Sequence, residues 1–482
     1  MSVGVQPRRL PVAGPVLVTL GAVAVGVAIG AEAPWSFLGL AAATGVLLAG
    51  LLDRASARLF KPFYVEIPLT LLLIASLSLR ARDASDLAEN PLDAAGLVKL
   101  GATLLAFGIG VLAILTPRGP ATHDAATFPI RLYALYALVA AVGIAASDAP
   151  MLTGYRVVEV IAALVVVYGA VKAAGDEALP RLMVVLKRWS GLTLAVAWVA
   201  VLVAPSIALE PVPSPIPVRI DIPTLGITSN GLGTYGALVA AWSLARMFEA
   251  RSDAPRRWRN VLGVFIGLAS VIGAQYRTGY IALVVVVAVL LVLRARIALM
   301  FGLLLTVGAL SIWGPAVSDL EPYLLRGQSR AEAAELSGRI EWWSLAGPIW
   351  EESPVVGKGL QTASRFLLAD AGYGETGTIH STWVEVLIGT GVLGTLFLLA
   401  ALIAALWRGM MQALRPEGSV APLLVLLILT ARSITGSSFE AGGFQLLLFI
   451  TVLFGLSRVG GTLGPIPGSV RTPAALGGRI VR

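Results

Sequence analysis

Apolar residues run along this chain in long blocks, and most of the charge is confined to the connectors between them. Stretches such as "IALVVVVAVLLVL" and "VLIGTGVLGTLFLLAALIAALW" are hydrophobic on every helical face and show no two-residue alternation. About 20 such residues in a helix cover ~30 Å of hydrocarbon. Lipid requires each backbone amide to be satisfied within the membrane, which leaves helices or a closed barrel. The short alternating strands of a barrel are not seen. The pattern therefore predicts an all-α, polytopic integral membrane protein of about 14 transmembrane helices with one large extracytoplasmic loop. The spans fall near 14–31, 34–52, 62–79, 96–115, 128–146, 151–171, 184–207, 231–249, 259–275, 278–294, 297–316, 382–407, 420–436 and 441–457. The organisation is N-terminal helices over 1–207, an extracytoplasmic loop over 208–230 and central helices over 231–316. A large extracytoplasmic loop over 317–380 follows, then C-terminal helices and a cytoplasmic tail over 381–482.

Composition agrees with this pattern. The 482 residues are 57% hydrophobic and 13% charged, more apolar surface than a soluble chain of this length can hide. There is no cysteine, so disulfides and thiolate metal sites are excluded. The net charge of +8 suggests nucleic-acid binding until the charges are placed. They cluster in alternate connectors: Arg54, Arg58 and Lys61; Lys172, Arg181, Lys187 and Arg188; Arg246, Arg251, Arg256, Arg257 and Arg259; Arg408 and Arg415. That is the asymmetry of cytoplasmic loops, and it sets both termini inside. No nucleic-acid partner is expected, and membrane lipids are. Arg8, Arg9 and Ala31-Glu32-Ala33 resemble a signal peptide, but Pro34 and an immediate second span predict a retained helix.

Two outside connectors are long. Residues 208–230 are proline-rich and extended. In 317–380, Leu336, Ile340, Trp343 and Trp350 recur at helical spacing, which predicts an amphipathic helix on the outer leaflet, broken near Pro348. No internal repeat is evident, unlike the inverted-repeat transporters.

Few residues carry chemistry. His380 falls at the outer face, where the long loop meets the twelfth span; as an imidazole it is suited to take a proton from a hydroxyl, or simply to anchor a helix end. His123 is read as a solvated loop residue. The 317–380 loop has five bases (Arg326, Arg330, Arg339, Lys358, Arg365) against nine acids, so an anion site there must use particular arginines. Arg277, in "AQYRTGY" between two spans, is costly at the edge of hydrocarbon unless it has a partner, and either binds something or reaches to lipid phosphates. Arg432, in "LTARSITGSS", raises the same question. Gly389, Gly391 and Gly394 lie inside a span and are read as close helix packing, not a phosphate loop. No carboxylate pair suggests a metal, and no cofactor is expected.

The spacing His380-Ser381, nine residues, Gly391, two residues, Gly394-Thr395 resembles the signature of the O-antigen ligase and polymerase family. The family's loop motif is similar to Gly338-Arg339, Trp342 or Trp343, Pro354 and Gly357-x-Gly359. "QYRT" resembles its Ser-Arg-Thr element, with Tyr276 in place of a small residue, and "SNGLGTY" around Asn230 is similar to its Asn-x-x-Gly stretch. The resemblance covers about 225–440; a departure is fourteen spans where ligases are often drawn with twelve. It implies a metal-independent, inverting membrane glycosyltransferase of the GT-C type that takes an undecaprenyl-diphosphate-linked glycan as donor at the outer face of the inner membrane. The acceptor would be a lipid A-core sugar for a ligase, or a second lipid-linked repeat unit for a polymerase; a lipid-linked sugar transporter is the remaining alternative. In this reading Arg277 and Arg339 compensate the leaving diphosphate and His380 activates or orients the acceptor. Asn230, Ser381 and Arg432 are site neighbours, and Trp342 and Trp343 either stack on sugars or form an interfacial belt.

Overall fold

The computed structural model describes residues 62–77, 94–115, 128–213, 216–249, 254–294, 338–372, 378–440 and 442–457, with isolated positions between 302 and 335. The expected spans 14–31 and 34–52, most of 297–316, the signal-like segment, His123 and the tail after 457 lie outside the described residues.

A π turn, Pro62–Glu66, opens α1 (Ile67–Ala75), followed by α2 (Ala94–Leu115) and α3 (Phe128–Val142). A 3-10 turn at Gly143–Ala146 leads to α4 (Pro150–Ala174), and Gly175, with φ 57°, separates it from α5 (Ala178–Val203). After the short α6 (Pro205–Ala208), the proline-rich connector forms an antiparallel ribbon of β1 (Leu209–Pro211) and β2 (Val218–Ile220). Then come α7 (Ser229–Glu249), α8 (Ala254–Gly273) and α9 (Arg277–Arg294). The long loop holds three short helices, α10 (Arg339–Ser344), α11 (Ala346–Glu352) and α12 (Ala363–Asp370). The C-terminal part is α13 (Thr382–Ala413), α14 (Ala421–Thr435) and α15 (Phe444–Ser457). Prolines sit in the first turns of α4, α6 and α14, where their missing N–H has no helical partner to lose.

The chain is a mostly helical membrane protein. Among the described residues, 96–115, 128–146, 150–203, 277–294 and 382–413 are long and apolar enough to cross a membrane. The stretch 150–203 divides at Gly175 into two helices. Shorter apolar helices cover 63–75, 421–435 and 444–456. The centre of the bundle is α15, buried on all sides, with Phe439, Phe444, Phe449 and Phe454 packed against Tyr133, Tyr136 and neighbouring helices. The outward face of α8, with Trp258, Phe265 and Ile272, is exposed, as a lipid-facing surface should be.

The loop helices differ from expectation in one detail. The break lies at Leu345, between α10 and α11, and Pro348 sits inside the first turn of α11, where a proline costs no helical bond.

The glycines of α13 do something the sequence pattern did not suggest. Gly391 has φ 64° and ψ −169°, so the helix opens there. The freed backbone groups are taken by the loop segment 354–359. Ile388 O accepts from Lys358 N (2.8 Å) and Gly389 O from Gly359 N (3.1 Å), while Val392 N and Leu393 N donate to Pro354 O (2.8 Å) and Val355 O (3.2 Å). In hydrocarbon such groups could not be left bare. The fit is backbone against backbone: a Cβ on Gly391 would collide with Val355, and one on Gly357 with Gly389 and Thr390. These glycines admit a loop into a broken helix instead of bringing two intact helices together.

The α3–α4 corner braces the same loop. Ser147 Oγ, Thr153 Oγ1 and Thr362 Oγ1 form a hydroxyl chain (2.6 and 2.7 Å), and Lys358 pairs with Glu352 (2.5 Å) and Asp148 (3.8 Å). The N-terminal half thus supports the loop in addition to supplying spans.

Gly391→Ala combines a left-handed φ with a backbone collision and should destabilise the protein by about 1–3 kcal/mol. Gly101→Ala, in α2 with nothing within 4 Å of the added Cβ, should be neutral or stabilising by up to about 1 kcal/mol. Unfolding in detergent measures both; equal stability of the two variants would contradict the interlock.

Candidate functional site

Three long helices begin at one end of the bundle: α7 at Ser229, α9 at Arg277 and α13 at Thr382. Their N-termini carry unsatisfied N–H groups and a partial positive charge. Asp221 caps the first through its Oδ1, which accepts from Ser229 N at 2.6 Å. Half-buried beside this cap, the Asp221 carboxyl is raised above its usual range, mainly by burial.

Arg432 links α14 to α7. Its Nη1 donates to Thr234 Oγ1 (2.7 Å) and Asn230 O (3.2 Å), and its Nε donates to Ser437 O (2.9 Å). Asn230 therefore meets Arg432 through its backbone carbonyl, one helical turn before Thr234. The sequence reading missed Thr234, although the spacing of four within "SNGLGTY" places it on the same face.

Arg277 opens α9, and its Nη2 donates to Leu325 O. The preceding Tyr276 is buried against Gly233 and Gly279, where a side chain would strike its ring. The Asn-x-x-Gly element and the QYRT element are thus two halves of one contact. Thr278 Oγ1 and Thr435 Oγ1, 2.7 Å apart, tie α9 to α14 one turn from Arg432.

Arg339 opens α10 after Gly338, whose φ of 82° turns the chain. Its helix packs with Trp342, Trp343 and Trp350 over Ile379, Leu368 and Ile388. Trp343 Nε1 donates to Ile379 O at 3.1 Å, fastening the loop to the residue before His380. The Trp342 ring lies 5.7 Å from the His380 ring, tilted by 37°.

His380 itself has φ 52°, left-handed backbone for a non-glycine residue. Gln275 (φ 48°), two residues before Arg277, and Gln361 (φ 56°), beside the interlocked segment, share that conformation. Strain of this kind persists only where surrounding structure holds it, and commonly marks functional sites. The imidazole Nδ1 is 3.2 Å from Thr378 Oγ1; among the described residues Nε2 has no protein partner. Ser381 is buried at the N-cap of α13, and its side chain makes no capping bond. Trp383 Nε1 donates to Ser433 Oγ (3.1 Å), fastening the start of α13 next to Arg432.

The cations interact across these elements. Burial lowers the Arg339 pKa, with Arg277 and Arg432 adding to the effect and Tyr276 opposing it. Burial, then Arg339 and Arg432, push the His380 imidazole down to about 4, so it is neutral at physiological pH. Among the described residues, no carboxylate lies within ion-pair distance of Arg339 or Arg432. Arg339 thus lies within electrostatic reach of Arg277 and Arg432, and His380 within reach of Arg339 and Arg432, with the Trp342 ring beside His380. Partly dehydrated guanidiniums next to helix N-termini favour a polyvalent anion. Among the described residues no three His, Cys, Asp or Glu group to bind a metal.

The depressed imidazole pKa has a definite sign. The unfolded chain, near 6.5, takes up a proton that the folded site refuses, so stability falls as pH drops from about 6.5 towards 4. His380→Gln should lose that slope. Labelled-histidine NMR in a His123→Gln background should show titration near 4, moving upward in Arg339→Gln as a nearby positive charge is removed. An ordinary titration near 6.5 in the parent would contradict the site's geometry.

Comparison with known families places this arrangement. Residues 262–399 match the family model described as O-antigen ligase, a stretch that contains Arg277, Arg339, Trp342, Trp343, His380, Ser381 and the Gly391 break. Asn230 and Arg432 lie outside it, joined to it through space. No curated protein matches the chain. Over residues 262–399, the chain is thus similar to the O-antigen ligase family.

Proposed function

We propose that this protein is a ligase-type glycosyltransferase, moving a glycan from an undecaprenyl-diphosphate carrier to a hydroxyl on a lipid A-core sugar, at the periplasmic face of the inner membrane. The observation that carries the reading is that Arg339 lies within electrostatic reach of Arg277 and Arg432, beside a neutral His380 that feels Arg339 and Arg432. A diphosphate ester is the anion that such a site suits, and its lipid tail would lie among the apolar helices.

The chemistry breaks the bond between the sugar C1 and the diphosphate oxygen, whose electron pair leaves with the carrier. A new C1–O bond forms from the opposite face, inverting the anomeric centre, and the acceptor hydroxyl gives up its proton. Diphosphate is already a good leaving group, so the arginines need only stabilise charge as it develops. With a pKa of about 4, the imidazole of the unliganded protein orients a hydroxyl better than it deprotonates one. A bound diphosphate changes that balance: its negative charge opposes Arg339 and Arg432 and raises the His380 pKa towards its ordinary value. Donor binding would thereby prepare the base, which takes the proton on Nε2 as the C1–O bond forms.

His380→Ala and Arg339→Ala should each lower glycan transfer about 10²-fold or more while the protein still inserts in the membrane. Arg339→Lys should recover little, because an ammonium cannot present the guanidinium fork. Deletion followed by glycan gel analysis tests the acceptor: unmodified core with accumulated long lipid-linked glycan supports ligation, and products stopping at one repeat unit support polymerisation. Wild-type transfer by both alanine variants would remove the mechanism.

A further inference from the structure

One helical turn along α13 from Ser381, a second polar cluster is enclosed by α3, α13 and the turn after α14. Glu440 is fully buried, and its Oε2 accepts from Ser438 N (3.0 Å), Phe439 N (3.0 Å) and Thr382 Oγ1 (2.7 Å). Glu385 is buried as well, with Oε1 accepting from Ser364 Oγ at 2.6 Å. Among the described residues, the second oxygen of each carboxylate, Glu385 Oε2 and Glu440 Oε1, has no hydrogen-bond partner, and neither do Tyr136 Oη and Ser438 Oγ. Glu385, Glu440 and Tyr136 lie within electrostatic reach of one another, with Tyr133 alongside. Arg156 of α4, which acts on Glu385 from a distance, is engaged by Glu159 at 2.9 Å. Among the described residues, neither Glu385 nor Glu440 has a lysine or arginine at ion-pair distance.

Two buried carboxylates with no lysine or arginine at ion-pair distance among the described residues are costly, and their orphaned oxygens call for an occupant. Neither hydroxyl reaches a carboxylate directly, so the oxygens stand apart by more than a hydrogen-bond length. Water would satisfy the lone pairs and leave the charge uncompensated; a cation does both. The ligand atoms are all hard oxygens, and among the described residues no third acid or histidine joins them, which suits a small monovalent ion better than a transition metal. We propose that Glu385 Oε2, Glu440 Oε1, Tyr136 Oη and Ser438 Oγ bind a monovalent cation of the sodium class. The site stands apart from the glycan-transfer reading but touches its frame: the turn that supplies Ser438 and Glu440 also presents Ser437 O to Arg432. An ion there would hold the tether of that arginine.

The test uses the purified full chain in detergent, with unfolding temperature followed by tryptophan fluorescence. NaCl is titrated against N-methyl-D-glucamine chloride at constant ionic strength. The expected result is a Tm that rises by a few degrees and saturates with sodium, an increment lost in Glu385→Gln and Glu440→Gln. Should those variants fold poorly, Tyr136→Phe keeps the ring and removes one ligand. Its Tm without sodium should be unchanged or higher, while its sodium midpoint shifts several-fold upward. A wild-type Tm indifferent to the cation, as a proton- or water-filled cleft would give, overturns the proposal. So does a Tyr136→Phe protein with the wild-type sodium response.

Discussion

The architecture at the site depends on four backbone hydrogen bonds. Where α13 opens at Gly391, Ile388, Gly389, Val392 and Leu393 would leave bare amides in an apolar bundle, and the segment 354–359 supplies their partners. Neither element is complete alone: the helix needs the loop to satisfy its backbone, and the loop needs the helix to stay folded at that depth. At 1.5 Å per residue, Gly391 lies roughly 15 Å along α13 from Ser381. The interlock is therefore a fixed post well inside the bundle. From it, α11 and α10 lead back to place Arg339 and Trp342 beside His380.

This bears on how several cations are positioned near one another. Neutral groups help to restrain each: Arg432 by Thr234, Asn230 and Ser437, Arg277 by the Leu325 carbonyl, and the Arg339 helix by Trp343 on Ile379. Carbonyls and hydroxyls fix direction without cancelling charge. The mutual repulsion that remains is stored in the unliganded protein, and a polyanion would release it. Burial, reinforced by the same field, keeps His380 neutral, so charge recognition and the proton-accepting group are coupled through space.

Much of this was legible in the residues. Blocks of apolar sequence gave the helical membrane character, and the order of the Asn230, Arg277, Arg339 and His380 elements gave the family that the 262–399 match supports. What periodicity could not reveal was long-range pairing. Gly391 reads equally as a small packing residue or as a helix break, because both need only the absence of a Cβ; the partner loop, over thirty positions upstream, decides between them. Tyr276 looked like a departure from a motif, and Gly233 turns out to be the space it occupies. Glu385 and Glu440 stand 55 positions apart in sequence, so no local pattern could pair them. The contribution of the N-terminal half, through Ser147, Asp148 and Thr153, was hidden for the same reason.

The most direct measurement is a cryo-EM structure of the full chain with bound undecaprenyl diphosphate. The account predicts both phosphates among the guanidiniums of Arg277, Arg339 and Arg432, with His380 Nε2 facing the space where an acceptor hydroxyl would approach. Phosphates seated elsewhere, with those side chains left in contact only with protein or solvent, would contradict it.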